Sequence, residues 1–212
     1  MKMRTIIKNE APACLSEAEK KGWNWDEFVL NDRLGYQTCR QQAYDEQSGV
    51  CAYTELPLDS ARSTIHIDHF RRKGIYQRLR FEWNNLFSAV KDNRFGSDYK
   101  DNIVKSNNEQ KIYNVILSPL VPQLQRYFHY ATNGEIEPSS ELSDDDKERA
   151  KATIDIFHLN ESELVSRRRT MMVQISTYHD LPEETIRQSF VGAGFPSVVD
   201  QELCFMILGH EA

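Results

Sequence analysis

Hydrophobic and polar positions change their rhythm three times along this chain. Between residues 14 and 48 the apolar residues Trp23, Trp25, Phe28, Val29, Leu30 and Leu34 form a stripe at helical spacing, with Gly22 as a break. "CRQQAYDEQSG" then reads as a helix closing at Gly49, a residue free to adopt positive φ. From Val50 the pattern turns β-branched and aromatic: "VCAYTEL" and "STIHIDHF" predict the two strands of a hairpin, joined by the turn chemistry of "PLDSA". The stretch after Gly74, from Ile75 to Asn102, has no clean period and predicts an ordered loop leading into a short element. "KIYNVIL" opens like a strand, and the segment it begins runs to an "NG" turn at Asn133-Gly134. Beyond it Ser143 is placed as a helix N-cap ahead of three aspartates, and Pro182 in a first helical turn, so the C-terminal region reads as helical.

Composition adds limits to this outline. A chain of 212 residues, 40% hydrophobic and 27% charged, predicts a soluble globular protein with one good-sized domain. No apolar run reaches the roughly 18 to 20 residues of a membrane span, and "MKMRTIIKNEAPA" lacks the apolar core of a signal peptide, so the expected location is the cytoplasm, away from any membrane. The net charge of −6 speaks against indiscriminate nucleic-acid binding. Charge is nevertheless segregated: Arg62, Arg71, Arg72, Lys73, Arg78 and Arg80 face a single acid, Asp68, between residues 61 and 80, while acid is concentrated in "ELSDDDKE". Cys14, Cys39, Cys51 and Cys204 form no C-x-x-C pair and are expected as free thiols.

The chemistry gathers around "HIDHFRRK". Phosphodiester hydrolysis needs a deprotonated nucleophile and a cation to offset charge on the phosphate. Asp68 can supply a hard oxygen ligand and His69 a base that titrates near neutrality. By itself an Asp-His pair is more often an ordinary hydrogen-bonded pair, and strand neighbours point to opposite faces, so both reach one site only where the strand ends or twists. The basic run that begins at Arg71 is where such an ending is expected.

In order, "GVCAYTE", "HIDHFRRK", "FEWNNLF" and "FGSDYKD", with "LNESELVSRRR" and "GFPSV" downstream, resemble the HNH endonuclease family. Within it they are most similar to the HNH nuclease subunit (PtuB) of Septu-type and retron-associated anti-phage systems. The resemblance implies an α+β fold, mainly helical with an embedded ββα-metal (HNH) motif: an N-terminal helical segment over 1–49, the motif over 50–105, and a mostly helical region over 106–212, packed as one compact unit. It implies His69 as the base, Asp68 as a metal ligand, and Asn85 as the residue that holds the His69 ring through a bond to a backbone or side-chain group. Asn93 is the implied second ligand, with Asp92 and Asp98 as alternatives; His66, on the face of Asp68 in a regular strand, is open to being a further ligand or a substrate contact, with an exposed bystander as the preferred reading. Such oxygen donors suit one Mg²⁺ or Mn²⁺ ion. No structural zinc is expected, because Thr54 stands where relatives carry the partner of Cys51. Tyr53, Phe70, Phe81, Trp83, Phe87 and Phe95 are expected to supply the packing instead.

Arg71, Arg72, Lys73 and Lys100 are the expected phosphate contacts. "SRRRT", residues 166–170, is read as helix-surface salt bridges with Glu161 and Glu163. The implied partners are a PtuA-like ATPase subunit and, in retron systems, a reverse transcriptase with its RNA-DNA product. The substrate is DNA or RNA, tRNA included. A different class of function, a nucleic-acid or protein adaptor on a degenerate HNH scaffold, is the alternative; a cysteine-nucleophile enzyme has no sequence support.

Overall fold

The computed structural model describes residues 4–58, 65–105 and 107–210. The N-terminal stripe folds as α1 (Ala13–Lys20), α2 (Trp25–Asn31) and α3 (Arg33–Glu46). Gly22, at φ +70°, makes the break that a Cβ would resist. Asn24 then starts α2 with a capping box, its side chain accepting the Glu27 N–H while the Glu27 carboxylate accepts the Asn24 N–H.

Helices α1 and α3 meet closely at Gly35. A Cβ there would stand 2.4 Å from Asp32 Oδ2 and 2.8 Å from Cys14 Cβ. Asp32 is itself fixed, because its Oδ1 accepts the Gly35 N–H at 2.9 Å. Alanine gains about 1 kcal/mol over glycine in a helix interior, but overpacking costs about 1–3 kcal/mol and Cys14 Cβ belongs to another helix. Gly35→Ala is therefore expected to be net destabilising. A urea midpoint equal to or above the parent's would contradict this contact.

The predicted hairpin is only half correct. The strand in "STIHIDHF" is β1 (Ile65–His69), residues 59–64 lying outside the described residues, and its antiparallel partner is β2 (Leu86–Val90), not "VCAYTEL". Residues 50–58 instead form a tight knuckle in which Glu55 N–H donates to the Cys51 carbonyl and Cys51 N–H to the Leu56 carbonyl, with Glu55 at φ +57°. Strand propensity lost there to a local turn that buries Cys51, Tyr53 and Leu56 together. The short element after the aperiodic loop is α4 (Gly96–Ile103), which packs on β2.

"KIYNVIL" is no strand either. Asn107–Asn114 is a 3₁₀ helix, and Tyr113, Ile116 and Leu117 bury themselves at helical rather than alternating spacing. The "NG" turn does join two short strands, β3 (Phe128–Tyr130) and β4 (Ile136–Pro138). The C-terminal helices are α5 (Asp144–Ile156), capped by Ser143, then α6 (Ser162–Ser176), α7 (Glu183–Ser189) and α8 (Pro196–His210). Pro182 is the N-cap of α7, one place before its expected position. In "SRRRT" only part of the expectation holds: Arg167 bridges to Glu163 at 2.6 Å, whereas Arg168 is buried and donates to the carbonyls of Gly134 and Leu159. No helix among the described residues is long and apolar enough to cross a membrane.

The β1–β2 hairpin lies between two apolar clusters. Ile67 and Leu86 join Leu15, Trp25, Phe28 and Phe81 in the smaller one. Phe87 and Ala89 join the larger, which runs from the knuckle through Phe157 to α8. The register pairs Asp68 with Phe87 and His69 with Leu86, so these two neighbours of β1 belong to opposite faces.

Candidate functional site

Opposite faces still open to one place. Among the described residues β1 pairs only with β2, and along its other edge runs a cavity of about 610 Å³. Trp25 of α2 lines it on the His69 side; Asp98 and Asp101 of α4 line it on the other, together with His66 and Asp68.

His69 is 6% exposed, its ring in T-shaped contact with that of Trp25 at a centroid distance of 4.5 Å. Its Nε2 lies 3.0 Å from the Arg80 carbonyl oxygen. A carbonyl only accepts, so Nε2 carries the proton and Nδ1 is left with a free lone pair. Burial pulls the ring's pKa down to about 4 despite the nearby Asp68 carboxylate, so the imidazole is neutral at pH 7.

Asp68 is 5% exposed and bonded through Oδ2 to the Tyr53 hydroxyl at 2.5 Å and to Lys100 Nζ at 3.1 Å. Burial opposes its ionisation, yet Lys100, the Tyr53 hydroxyl and His66 together hold its pKa below the ordinary value. Tyr53 is fixed in turn by stacking on Phe157 at 4.5 Å. Burial and the Asp68 charge push the Tyr53 hydroxyl well up, so it stays a donor.

Lys100 corrects an expectation. In place of a phosphate contact it is a fully buried ammonium that reaches Asp68, Asp101 Oδ1 at 3.2 Å, and the carbonyls of His69 at 2.8 Å and Phe70 at 3.0 Å. Its three N–H donors are taken by Asp68 and the two carbonyls, with Asp101 beside it as an ion pair, which leaves none for a substrate. Burial works against the charge, but the two carboxylates outweigh it and raise the Lys100 pKa. Asp101 moves the opposite way from Asp68: burial and the Asp68 charge raise it even against Lys100, so of the two acids sharing the ammonium Asp101 takes a proton first.

Asn85 does not touch the His69 ring. Its Oδ1 accepts the Arg71 N–H at 2.7 Å, and its Nδ2 donates to the carbonyls of Arg71 at 3.0 Å and Leu79 at 3.1 Å. It closes the 70–85 loop on itself and places the carbonyl next to that of Arg80, the one His69 uses. Asn85→Ala leaves three buried or half-buried backbone groups unpaired, at about 1–3 kcal/mol for such a group. The expected result is faster amide exchange across residues 71–80 with slower exchange retained in α5 and α6; unchanged exchange in the loop would refute the anchoring role.

The other named residues separate. Asn93 is exposed in the turn after β2 and does not line the cavity. Asp92 is held by Arg94 at 2.7 Å, which also pairs with Glu163. Asp98 does line the cavity, with His66 Nε2 3.8 Å from its Oδ1 and 3.4 Å from Ser97 Oγ. Arg72 donates to the Asp101 and Val104 carbonyls at the end of α4, Lys73 pairs with Asp26 at 2.6 Å, and Arg71 lies over Tyr76 and Tyr113. The Lys73 pair is at the surface, where such pairs contribute about 0–1 kcal/mol, so it can yield to a phosphate.

Sequence reasoning passed over Trp25, Asp101 and Lys91, all on the cavity wall. Asp101 had a signal, its i+3 spacing from Asp98 on one helix; Trp25 and Lys91 had none. The aromatics expected to pack the motif are all buried.

No family model matches the chain. It is 26% identical over 188 residues to a protein of Escherichia coli named "Retron Ec83 putative HNH endonuclease", across 74% of this chain and 73% of that protein. That likeness supports the HNH endonuclease family. It suggests nuclease activity, and with it the divalent ion that such enzymes generally use.

The donor set can be held against such an ion. Among the described residues no three His, Cys, Asp or Glu side chains converge as a metal site. Mg²⁺ does not require that, since it keeps several waters and commonly takes one or two carboxylates plus substrate phosphate. Asp68, ionised and at the cavity, suits this kind of site, although Tyr53 and Lys100 already bond to its Oδ2.

Proposed function

We propose that the chain is a metal-dependent HNH endonuclease that hydrolyses nucleic-acid phosphodiester bonds. The observation that carries this reading is the His69 tautomer: Nε2 is committed to the Arg80 carbonyl, so Nδ1 is the free base of a side chain that lines the same cavity as Asp68. His69 Nδ1 takes the proton of the attacking water. Asp68, whose Oδ2 is bonded to Tyr53 and Lys100, would hold the cation, and Asn85 acts through the 70–85 loop as a positioning residue. When bound, one Mg²⁺ or Mn²⁺ would offset charge on the phosphate and the leaving oxygen. Arg71, Arg72 and Lys73 contact flanking phosphates, and Lys91 takes the part once expected of Lys100. Asn93 as second ligand requires the turn after β2 to move; Asp98 requires no such movement, since it already lines the cavity.

The relative's name favours a retron context, and the sequence resemblance an anti-phage one, with a Septu-type or retron assembly, an ATPase partner, and a reverse transcriptase with its RNA-DNA product as companions. A second reading, the catalytically degenerate adaptor, is favoured by Lys100 already neutralising Asp68 where a metal would otherwise do so. Incubation with DNA and with tRNA, in Mg²⁺ or Mn²⁺ and with or without the neighbouring gene products, separates the two. The nuclease reading expects cleavage that EDTA abolishes and added metal restores. Binding without cleavage under every condition supports the adaptor.

A further inference from the structure

Cys14 and Cys39, 25 residues apart in sequence, are neighbours in the fold, with their Sγ atoms 3.6 Å apart. The contact follows from the small buried face of α3, where Gly35, Cys39 and Ala43 recur every four residues. It lets α1 approach so closely that a Gly35 Cβ would meet Cys14 Cβ. The two thiols are not equivalent. Cys39 is wholly buried, whereas Cys14 is half-exposed and bonds through Sγ to the Gly35 carbonyl at 3.4 Å. Cys51 lies in the other apolar cluster and Cys204 is exposed on α8, so neither competes for the pair.

We propose that Cys14 and Cys39 are a covalent modification site, a dithiol that a peroxide converts to an intramolecular disulfide joining α1 to α3. Hydrogen peroxide reaches Cys14 from solvent, transfers one oxygen to give a sulfenic acid, and leaves as water. Cys39 Sγ then attacks Cys14 Sγ, the S–S bond forms, and the sulfenic oxygen leaves as a second water, carrying the Cys39 proton. In sum, two thiols are oxidised and one peroxide is reduced to two waters. Closing the bond to about 2.05 Å asks for a shift of about 1.5 Å. Burial raises both thiol pKa values, so the pair reacts slowly, resting as dithiol under reducing conditions. The ring so closed contains α2 and Trp25, the residue set against His69.

The test uses the full chain carrying Cys204→Ser, folded, treated with hydrogen peroxide, and alkylated after unfolding. The expected result is a mass loss of about 2 Da before alkylation, a Cys14–Cys39 cross-linked peptide, reversal by dithiothreitol, and a higher unfolding temperature for the oxidised form. In Cys39→Ser the reaction is expected to stop at a Cys14 sulfenic acid that dimedone traps. Peroxide-treated parent in which Cys39 stays alkylatable, whether Cys14 is unmodified or carried on to sulfinic acid, overturns the proposal. No cleavage assay enters, so the result is independent of the nuclease reading.

Discussion

His69→Ala is expected to lower nucleic-acid cleavage by about 10²–10⁴-fold, the usual contribution of a general base, with a smaller change in substrate binding. The side chain is buried against Trp25, so His69→Gln is the companion variant that keeps most of the packing. Both should lose rate while circular dichroism and gel-shift affinity stay near the parent's. The parent's pH profile carries a second, sharper expectation. A histidine held down to about 4 is already neutral at pH 5, so no rising limb should appear near the ordinary histidine value. Activity should fall only as the pH nears 4. A limb at 6 to 7 that disappears in His69→Gln would mean that His69 is far less buried in the working enzyme than here. Cleavage by His69→Ala at the parent's rate would remove it from the mechanism altogether.

Lys100→Met is the second large effect, and it is one of stability. Methionine fills the space but leaves the buried Asp68 and the half-buried Asp101 without their shared cation, and breaking the buried Lys100–Asp68 pair in this way costs about 3–5 kcal/mol. The pH dependence has a definite sign. In the parent Asp68 is depressed, so its contribution is present above the unfolded pKa and is lost as pH falls through the folded one. In the variant both acids rise above their unfolded values, so they destabilise at neutral pH and are relieved as they take protons. The gap between parent and variant in urea unfolding should therefore narrow from pH 7.5 to pH 5. Adding Asp101→Asn should recover part of the loss at pH 7.5. A gap that is small, or constant with pH, would mean that water rather than Lys100 satisfies these carboxylates.

How much of this could be read from the residues depends on how local the deciding interactions are. The helix break at Gly22 and the N-cap at Ser143 were legible, because backbone freedom and capping act within four residues. So was β1, from its β-branched and aromatic composition. Its partner was not: Leu86–Val90 is buried on both sides, which erases the period-two signal, while "VCAYTEL" has strand composition but folds as a knuckle. The site residues divide in the same way. The Asp68-His69-Asn85 order suggested a family, to which the distant relative lends support. Lys100 was misplaced, because a lysine after a basic run looks like a phosphate contact until two carboxylates and two carbonyls are brought around it.

The sequence by itself determined that Asp68 and His69 are strand neighbours on opposite faces, that a basic loop follows, and that Asn85 comes after it. Tertiary structure decided that both side chains open to one cavity, because the outer edge of β1 is left unpaired between α2 and α4. It also decided which histidine nitrogen is free and which carboxylate keeps its charge. Both follow from groups remote along the chain, the Arg80 carbonyl, Trp25, Tyr53 and Lys100, since hydrogen bonding and desolvation depend on what is near in space.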